Sequence, residues 1–275
     1  MRIYTKAGDL AFKTFTFPDG QPHFILDTFE LEFTDVTIEL AIRNPSDLFT
    51  LLLATQVLRN TGYTSINLDV RYLLGARMDR AIDSTQPFTL EVVARLINGC
   101  GFSKVRVLDP HSMVALKLIR SSDWVLTPRA VYEQAIKASK AEVVVAPDEG
   151  ASYRTQNAWN CGRSGTTIIY CTKHRDPQTG KLSEFKVHDY EPEKDGTTCL
   201  IIDDICDGGG TFVGLAKELM TAGAKKVHLF VTHGLFSKGL PLEGIDTIYT
   251  TDSYQPDVYG LYKVVCIPVS MKEMK

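Results

Sequence analysis

Residues 198–223 read TCLIIDDICDGGGTFVGLAKELMTAG, and this stretch decides the fold. Thr198 to Ile202 is short, apolar and rich in β-branched residues, the composition of a strand buried in a parallel sheet. It ends in two adjacent carboxylates, Asp203 and Asp204, with a third at Asp207. Gly208, Gly209, Gly210 and Thr211 come next. Beyond them Phe212, Leu215, Ala216, Leu219 and Met220 recur at the spacing of one apolar helix face. Gly223 falls where a helix is closed by a left-handed residue. The stretch therefore predicts a strand, an acidic glycine turn and a helix N-terminus.

Backbone N–H groups of such a turn, with the positive end of the helix dipole, make a cradle for an anion. Three carboxylates beside that cradle repel a phosphate unless a cation intervenes or the carboxylates accept hydrogen bonds from sugar hydroxyls. Mg²⁺ or a ribose meets that requirement. The pattern points to a ribose-phosphate or pyrophosphate site formed by Asp203, Asp204, Asp207, Gly208, Gly209, Gly210 and Thr211. A solvated acidic turn is the plainer alternative. Three glycines in succession weaken a turn unless something must approach it closely, and that weighs against it.

The chain has 275 residues, 44% hydrophobic and 23% charged, with a formal net charge of −3. That length holds one large or two ordinary α/β domains. The charge balance gives no general pull towards nucleic acid or an anionic membrane. No apolar run approaches the about 18 residues of a membrane span, and MRIYTKAGDL at the start lacks the apolar core of a signal peptide. Six cysteines (Cys100, Cys161, Cys171, Cys199, Cys206, Cys266) are scattered without a CxxC pair, as expected of reduced thiols in a cytoplasmic protein. Cys206 lies inside the acidic loop, where its neighbours raise its pKa and leave it a spectator.

Strand and helix signals alternate throughout, the pattern of an α/β protein with mainly parallel sheets. Asp35 to Leu40 alternates as a strand, and Asn44-Pro45-Ser46-Asp47 opens a helix running to about Arg59. Ile66 to Leu74 reads as a strand, Pro87 to Asn98 as a helix, and Val105 to Leu108 as a strand ending at Asp109-Pro110-His111. A second series begins near Thr127, with a helix at Arg129 to Ser139 and a strand at Glu142 to Ala146 ending at Pro147-Asp148-Glu149-Gly150. Thr166 to Cys171 is a strand ending at Lys173-His174-Arg175, followed by the polar DPQTGK loop, residues 176–181. After the glycine turn and its helix come strands at Val227 to Val231, Thr247 to Thr250 and Lys263 to Pro268. The matching rhythm predicts two tandem Rossmann-like domains, residues 1–124 and 125–275. Polar residues gather at the carboxyl ends of strands, where open α/β sheets bind ligands.

Seven segments, in chain order, resemble motifs of the ribose-phosphate diphosphokinase (phosphoribosyl pyrophosphate synthetase) family. They are Phe17-Pro18-Asp19-Gly20-Gln21, Tyr72 to Arg80, Pro87-Phe88-Thr89, Leu108-Asp109-Pro110-His111, Val145-Ala146-Pro147-Asp148, Lys173-His174-Arg175 and Thr232-His233-Gly234-Leu235-Phe236-Ser237. The glycine turn itself resembles the ribose-phosphate loop of the type I phosphoribosyltransferase fold. The resemblance implies two phosphoribosyltransferase-like domains, the first on the ATP side, the second carrying the ribose-phosphate loop and a flexible catalytic loop. It implies transfer of the β,γ-diphosphoryl group of ATP to the anomeric hydroxyl of a ribose 5-phosphate moiety, with AMP released and Mg²⁺ required.

The same resemblance implies ATP contacts from Phe17, Asp19, Gln21, Arg77, Asp79 and His111, and metal contacts from Asp109, His111 and Asp148. Asp148 also joins the ribose-phosphate site. Lys173, Arg175 and His111 take the catalytic roles, with the DPQTGK loop closing to exclude water. A cytoplasmic homo-oligomer built from dimers, up to a hexamer, is implied as well, the adenine pocket often being completed by a neighbouring subunit.

The departures from the family concern the acceptor. The usual loop is Asp-Thr-Gly/Cys-Gly-Thr, whereas here Asp207-Gly208-Gly209-Gly210-Thr211 lacks the first hydroxyl. That loss costs about 1–3 kcal/mol of hydrogen bonding to a phosphate and is expected to open room beyond the 5-phosphate. Glu149, Ala151, Gln21 and Met78 are further departures. Two acceptors follow. One is ribose 5-phosphate. The other, preferred on the strength of Gly208, is ADP-ribose, giving ADP-ribose pyrophosphate for NAD synthesis. Synthetases of that kind occur among phage-encoded relatives, for which the compartment is the host cytoplasm. A non-catalytic regulatory homologue and a type I phosphoribosyltransferase are the alternatives. Lys173, Arg175 and His111 weigh against the first, and the ATP-side residues against the second.

Overall fold

The structure, a computed structural model, describes residues 1–28, 33–162, 166–175, 182–187, 196–255 and 263–274, with 173–175, 182–186 and 273 described by their backbone alone. The chain forms two compact units, Met1–Leu126 with Met271–Lys275, and Thr127–Ser270. Each is an α/β unit with a mainly parallel sheet, the predicted class.

The first unit contains β1 (Arg2–Tyr4), the hairpin strands β2 (Phe12–Thr16) and β3 (Pro22–Leu26), β4 (Asp35–Ala41), β5 (Ser65–Tyr72), β6 (Lys104–Leu108) and β7 (Ser122–Val125). Its helices are α1 (Pro45–Asn60), α2 (Thr89–Gly99) and α3 (Val114–Leu118). The five-stranded sheet runs β1-β4-β5-β6-β7, with β1 antiparallel and the others parallel. The parallel strands add in chain order with no reversal, so right-handed crossovers put the connecting helices on one face. That face carries Ile38, Leu40, Leu68, Val70, Val105 and Val107 against Leu51, Leu58, Leu90 and Ile97. The start of α1 follows directly from its residues. Asn44 Oδ1 accepts the Asp47 N–H at 3.0 Å, and Pro45 needs no donor in the first turn.

The opposite face carries charge. Strand register aligns Arg2, Glu39, Asp69, Arg106 and Asp123 in one row across all five strands. Asp69 is only 1% exposed. It accepts two hydrogen bonds from Arg106, at 2.7 Å to Oδ1 and 2.5 Å to Oδ2, and one from the Tyr4 hydroxyl at 2.9 Å. Burial, followed by the Asp69 charge, raises the Tyr4 phenol pKa, so it stays a donor. The same guanidinium donates to the carbonyls of Met274 at 2.6 Å and Met271 at 2.8 Å, holding the 3₁₀ turn Met271–Glu273 on this face. Lys272 Nζ completes the contact 4.9 Å from the Tyr4 ring centre.

The second unit contains α4 (Arg129–Ser139), β8 (Val143–Ala146), α5 (Ser152–Trp159), β9 (Thr167–Arg175), β10 (Leu182–Val187), β11 (Thr197–Cys206), α6 (Gly210–Thr221), β12 (Ala224–Gly234), β13 (Ile248–Thr251) and β14 (Val264–Cys266). The sheet order is β10-β9-β8-β11-β12-β13-β14, with only β10 antiparallel. The order reverses between β8 and β11. Such a switch point leaves a crevice at the carboxyl ends of the two strands, where a ligand can enter. Asp148 follows β8, and the acidic glycine turn follows β11.

Three details differ from the sequence expectation. β11 continues through Asp203 and Asp204 to Cys206, because β12 pairs with it as far as Gly234. β9 likewise runs on to Arg175 through its antiparallel pairing with β10. Met220 is 46% exposed, whereas Phe212, Leu215, Ala216 and Leu219 are buried. Gly223 does adopt a left-handed φ of 103° after the helix. No described helix is long and apolar enough to cross a membrane.

Replacing Arg106 by Met leaves the Asp69 carboxylate buried without its main partner. The expected loss is about 3–5 kcal/mol, read as a lower midpoint in denaturant unfolding. Asp69→Leu combined with Arg106→Met should recover most of it.

Candidate active site

In the second unit the end of β11 concentrates negative charge. Asp204 is 3% exposed, and its N–H donates to Asp203 Oδ1 at 2.9 Å. Burial raises the pKa of Asp203 well above the usual carboxylate range, and the charge of Asp204 adds to the rise. Arg154 opposes it, with Nη1 3.9 Å from Asp203 Oδ1. This arginine, 5% exposed on α5, also donates to the Gly150 carbonyl at 3.0 Å. Asp148 caps the 3₁₀ turn Glu149–Ala151, accepting the Ala151 N–H at 3.1 Å, and its charge also raises the Asp203 pKa. Cys206 is fully buried, and burial pushes its thiol up to about 12, as a spectator requires.

The three glycines have three different reasons. Gly209 has a φ of 76°, and a Cβ there would lie 2.4 Å from Leu242 Cδ2. Gly208 has no left-handed φ, but its side-chain space is filled by Lys238, whose Cδ, Cε and Cγ lie 2.9, 3.1 and 3.3 Å from a built Cβ. This overturns the expectation that Gly208 opens room for a larger acceptor. Gly210 is exposed, with nothing within 4 Å of a built Cβ. It opens α6, whose N-cap Gly209 supplies no side-chain hydrogen bond. The first N–H groups of that helix have no intrahelical acceptors and suit an anion.

The segment Thr232 to Ser237 shapes this turn from beneath. The Thr232 hydroxyl lies 2.8 Å from that of Thr127, and the His233 ring Nδ1 lies 2.8 Å from Ser253 Oγ. Phe236 adopts a φ of 51°, and its ring occupies the side-chain space of Gly234. Ser237 donates through its hydroxyl to the Asp207 carboxylate.

In the first unit Phe17-Pro18-Asp19-Gly20-Gln21 is the turn between β2 and β3. The Phe17 N–H donates to Gln21 O at 2.8 Å, and Asp19 Oδ1 accepts the Gln21 N–H at 3.0 Å. Phe17 is 41% exposed and meets Phe15 edge-on at 4.9 Å between ring centres. Arg77 is exposed and Asp79 half-buried on the turn after β5. That turn reaches α2 through the Met78 carbonyl, which accepts the Leu90 N–H at 3.2 Å. At the adjacent end of β6, Asp109 is 1% exposed with a φ of 38°, a strained conformation for a non-glycine residue, and His111 is exposed.

A phosphoribosyl transferase domain matches residues 129–264. The ribose-phosphate pyrophosphokinase of Mycoplasmopsis pulmonis is 30% identical over 237 residues, 83% of this chain and 72% of that protein. The chain belongs to the ribose-phosphate pyrophosphokinase family. The relative in Bradyrhizobium diazoefficiens is 31% identical over 195 residues, 70% of this chain but 60% of its own length. A crystal structure of phosphoribosylpyrophosphate synthetase from Mycobacterium smegmatis superposes with a TM-score of 0.75 at 20% identity, covering 94% of this chain and 86% of that one. At that identity the likeness is one of fold.

Within this ribose-phosphate pyrophosphokinase family member, the structure gathers Asp148, Asp203, Asp204 and the Asp207–Thr211 turn at one switch point. It sets the Arg77–Asp79 and Asp109–His111 turns at neighbouring strand ends of the other unit. Lys173 and Arg175 lie at the end of β9, and DPQTGK, residues 176–181, falls outside the described residues. Among the described residues no three His, Cys, Asp or Glu side chains converge as a metal group. Arg154, Lys238 and Leu242 escape sequence reasoning because each reaches the site from an element other than the one bearing the motif.

The raised Asp203 pKa has a definite sign. A carboxyl that binds its proton more tightly when folded stabilises the fold below the unfolded pKa, and that contribution is lost as pH rises through the folded value. Asp203→Asn should therefore raise the apparent Tm near neutral pH, with the gain shrinking as pH falls below the raised folded pKa and gone by about pH 4. Equal melting curves at neutral pH would show that Arg154 already offsets the burial of this charge.

Proposed function

We propose that this protein transfers the β,γ-diphosphoryl group of ATP to the anomeric 1-hydroxyl of a ribose 5-phosphate moiety, releasing AMP. The observation that carries the reading is the β8–β11 switch point, where acid residues for sugar hydroxyls adjoin an uncapped, open helix N-terminus for the 5-phosphate. In this reaction the anomeric oxygen forms a bond to the β-phosphorus as that phosphorus loses its bond to the α,β-bridging oxygen. The bridging oxygen leaves with AMP, and the hydroxyl proton passes to solvent. The transition state disperses charge over the transferred oxygens, so catalysis rests on cations and positioning. Lys173 and Arg175 supply the cations, and His111 contacts the triphosphate. Phe17, Asp19, Gln21, Arg77 and Asp79 bind the rest of ATP.

Magnesium fits this donor set in one form. With no preformed group of three donors among the described residues, an ion here would be held by one or two protein donors and by its phosphate and water ligands. Asp109 and His111 in the first unit, or Asp148 in the second, would supply them. When bound, Mg²⁺ neutralises phosphate charge. The exposed Phe15 and Phe17 rings of the hairpin support an adenine pocket finished by a neighbouring copy in a dimer-based homo-oligomer, up to a hexamer.

Of the two acceptors, ADP-ribose is our finer reading, with ribose 5-phosphate as the alternative. Its support is the open flank of Gly210 at the helix N-terminus, which leaves room for a 5-phosphoryl group esterified on its far side. The product, ADP-ribose pyrophosphate, would be an activated precursor for NAD synthesis.

Incubation with ATP and Mg²⁺, offering each acceptor separately, should yield AMP and a product heavier by one diphosphoryl group. Turnover with ribose 5-phosphate alone would refute the ADP-ribose reading, and AMP with neither would refute the activity. Lys173→Ala is expected to lower kcat by about a thousandfold or more with ATP affinity nearly unchanged, because its contact belongs to the transition state.

A further inference from the structure

We infer that Lys238 binds the 5-phosphoryl group of the acceptor, standing in for the side chain that Gly208 lacks. Its position is built by the fold. Leu235 and Phe236 both donate their N–H groups to the Cys206 carbonyl, at 2.8 and 3.1 Å, and Ser237 N–H donates to Asp207 O at 3.1 Å. The Ser237 hydroxyl donates to the Asp207 carboxylate, and Gly239 N–H closes the turn on Phe236 O at 2.9 Å. These bonds lay the 235–239 turn directly on the start of the glycine turn. Lys238 is the residue whose side chain then runs along it.

Three successive carbons, Cγ, Cδ and Cε, pass within 3.3 Å of a Cβ built on Gly208. Gly208 does not have a left-handed backbone, so its conformation does not demand glycine. Its missing side chain is explained by the lysine stem, which a residue with a hydroxyl would have to displace. The ammonium is one bond beyond Cε, and Lys238 is exposed. No hydrogen bond or ion pair holds it among the described residues. A cation beside the positive end of α6 is unfavourable by itself, and both become favourable when an anion lies between them. A stem held against the protein also loses less rotamer freedom when its head group binds a phosphoryl oxygen.

The inference rests on the proposed diphosphoryl transfer and names a binding residue for it. Lys238→Met keeps the stem and removes the charge. It is expected to raise the acceptor KM by about tenfold to a hundredfold, the range for a hydrogen bond to a charged group, with kcat and the KM for ATP little changed. Lys238→Arg should restore much of the loss. Gly208→Thr alone should be poorly tolerated beside the lysine, whereas Gly208→Thr with Lys238→Ala should recover acceptor affinity through the new hydroxyl. Wild-type turnover with an unchanged acceptor KM in Lys238→Met would overturn the role of Lys238 and leave the activity standing. A wild-type protein that turns over neither ribose 5-phosphate nor ADP-ribose would overturn both.

Discussion

The Cys206 carbonyl accepts two N–H groups, those of Leu235 and Phe236, and this bond pair ties the turn after β12 to the turn after β11. Much of the candidate site depends on it. With the two turns joined, Leu242 stands over Gly209 and Lys238 over Gly208, and glycine becomes the residue that fits both places. The strained φ of Phe236 belongs to the same constraint, its ring filling the space that Gly234 leaves empty. A loop that reads as permissive is thus packed on two of its three glycines. The conformational freedom usually credited to glycine is used at Gly209, while Gly208 is set by close approach.

The two units manage buried charge in opposite ways. In the first, Asp69 is enclosed and fully matched by the fork of Arg106 and the hydroxyl of Tyr4. Such a pair specifies geometry, and here it holds the Met271–Glu273 turn against a sheet more than a hundred residues earlier in the chain. In the second, Asp203 and Asp204 are crowded together with Arg154 only at the edge of ion-pair range. The Asp203 charge is opposed by burial and by a like charge, a standing cost in the free protein that a bound sugar could relieve. Paired charge serves the fold in the first unit, and crowded like charge lies at the candidate site in the second.

Much of the architecture was readable from residue order. The apolar run before Asp203, the Asn44-Pro45 helix start, the alternation of strands and helices and the closing Gly223 each depend on neighbours within a turn or a strand, where period and capping rules operate. The ends of β9 and β11 lie beyond the reach of such rules for the converse reason. Both strands extend through polar residues because a partner strand is there to pair with them. Met220 matched the helical period but lay at the edge of the apolar stripe, which periodicity cannot distinguish from its centre.

By itself the sequence determined the α/β class, the acidic strand end followed by a glycine turn, and the chain order of motifs that marks the family. These are local patterns, and local physics suffices to read them. Tertiary structure alone decided that Lys238 fills the space at Gly208, that Arg154 backs Asp203, and that Arg106 binds both Asp69 and the last turn of the chain. In each case the partners are brought together by strand order and turn geometry across long separations, and no periodicity or spacing in the chain encodes which side chain will arrive.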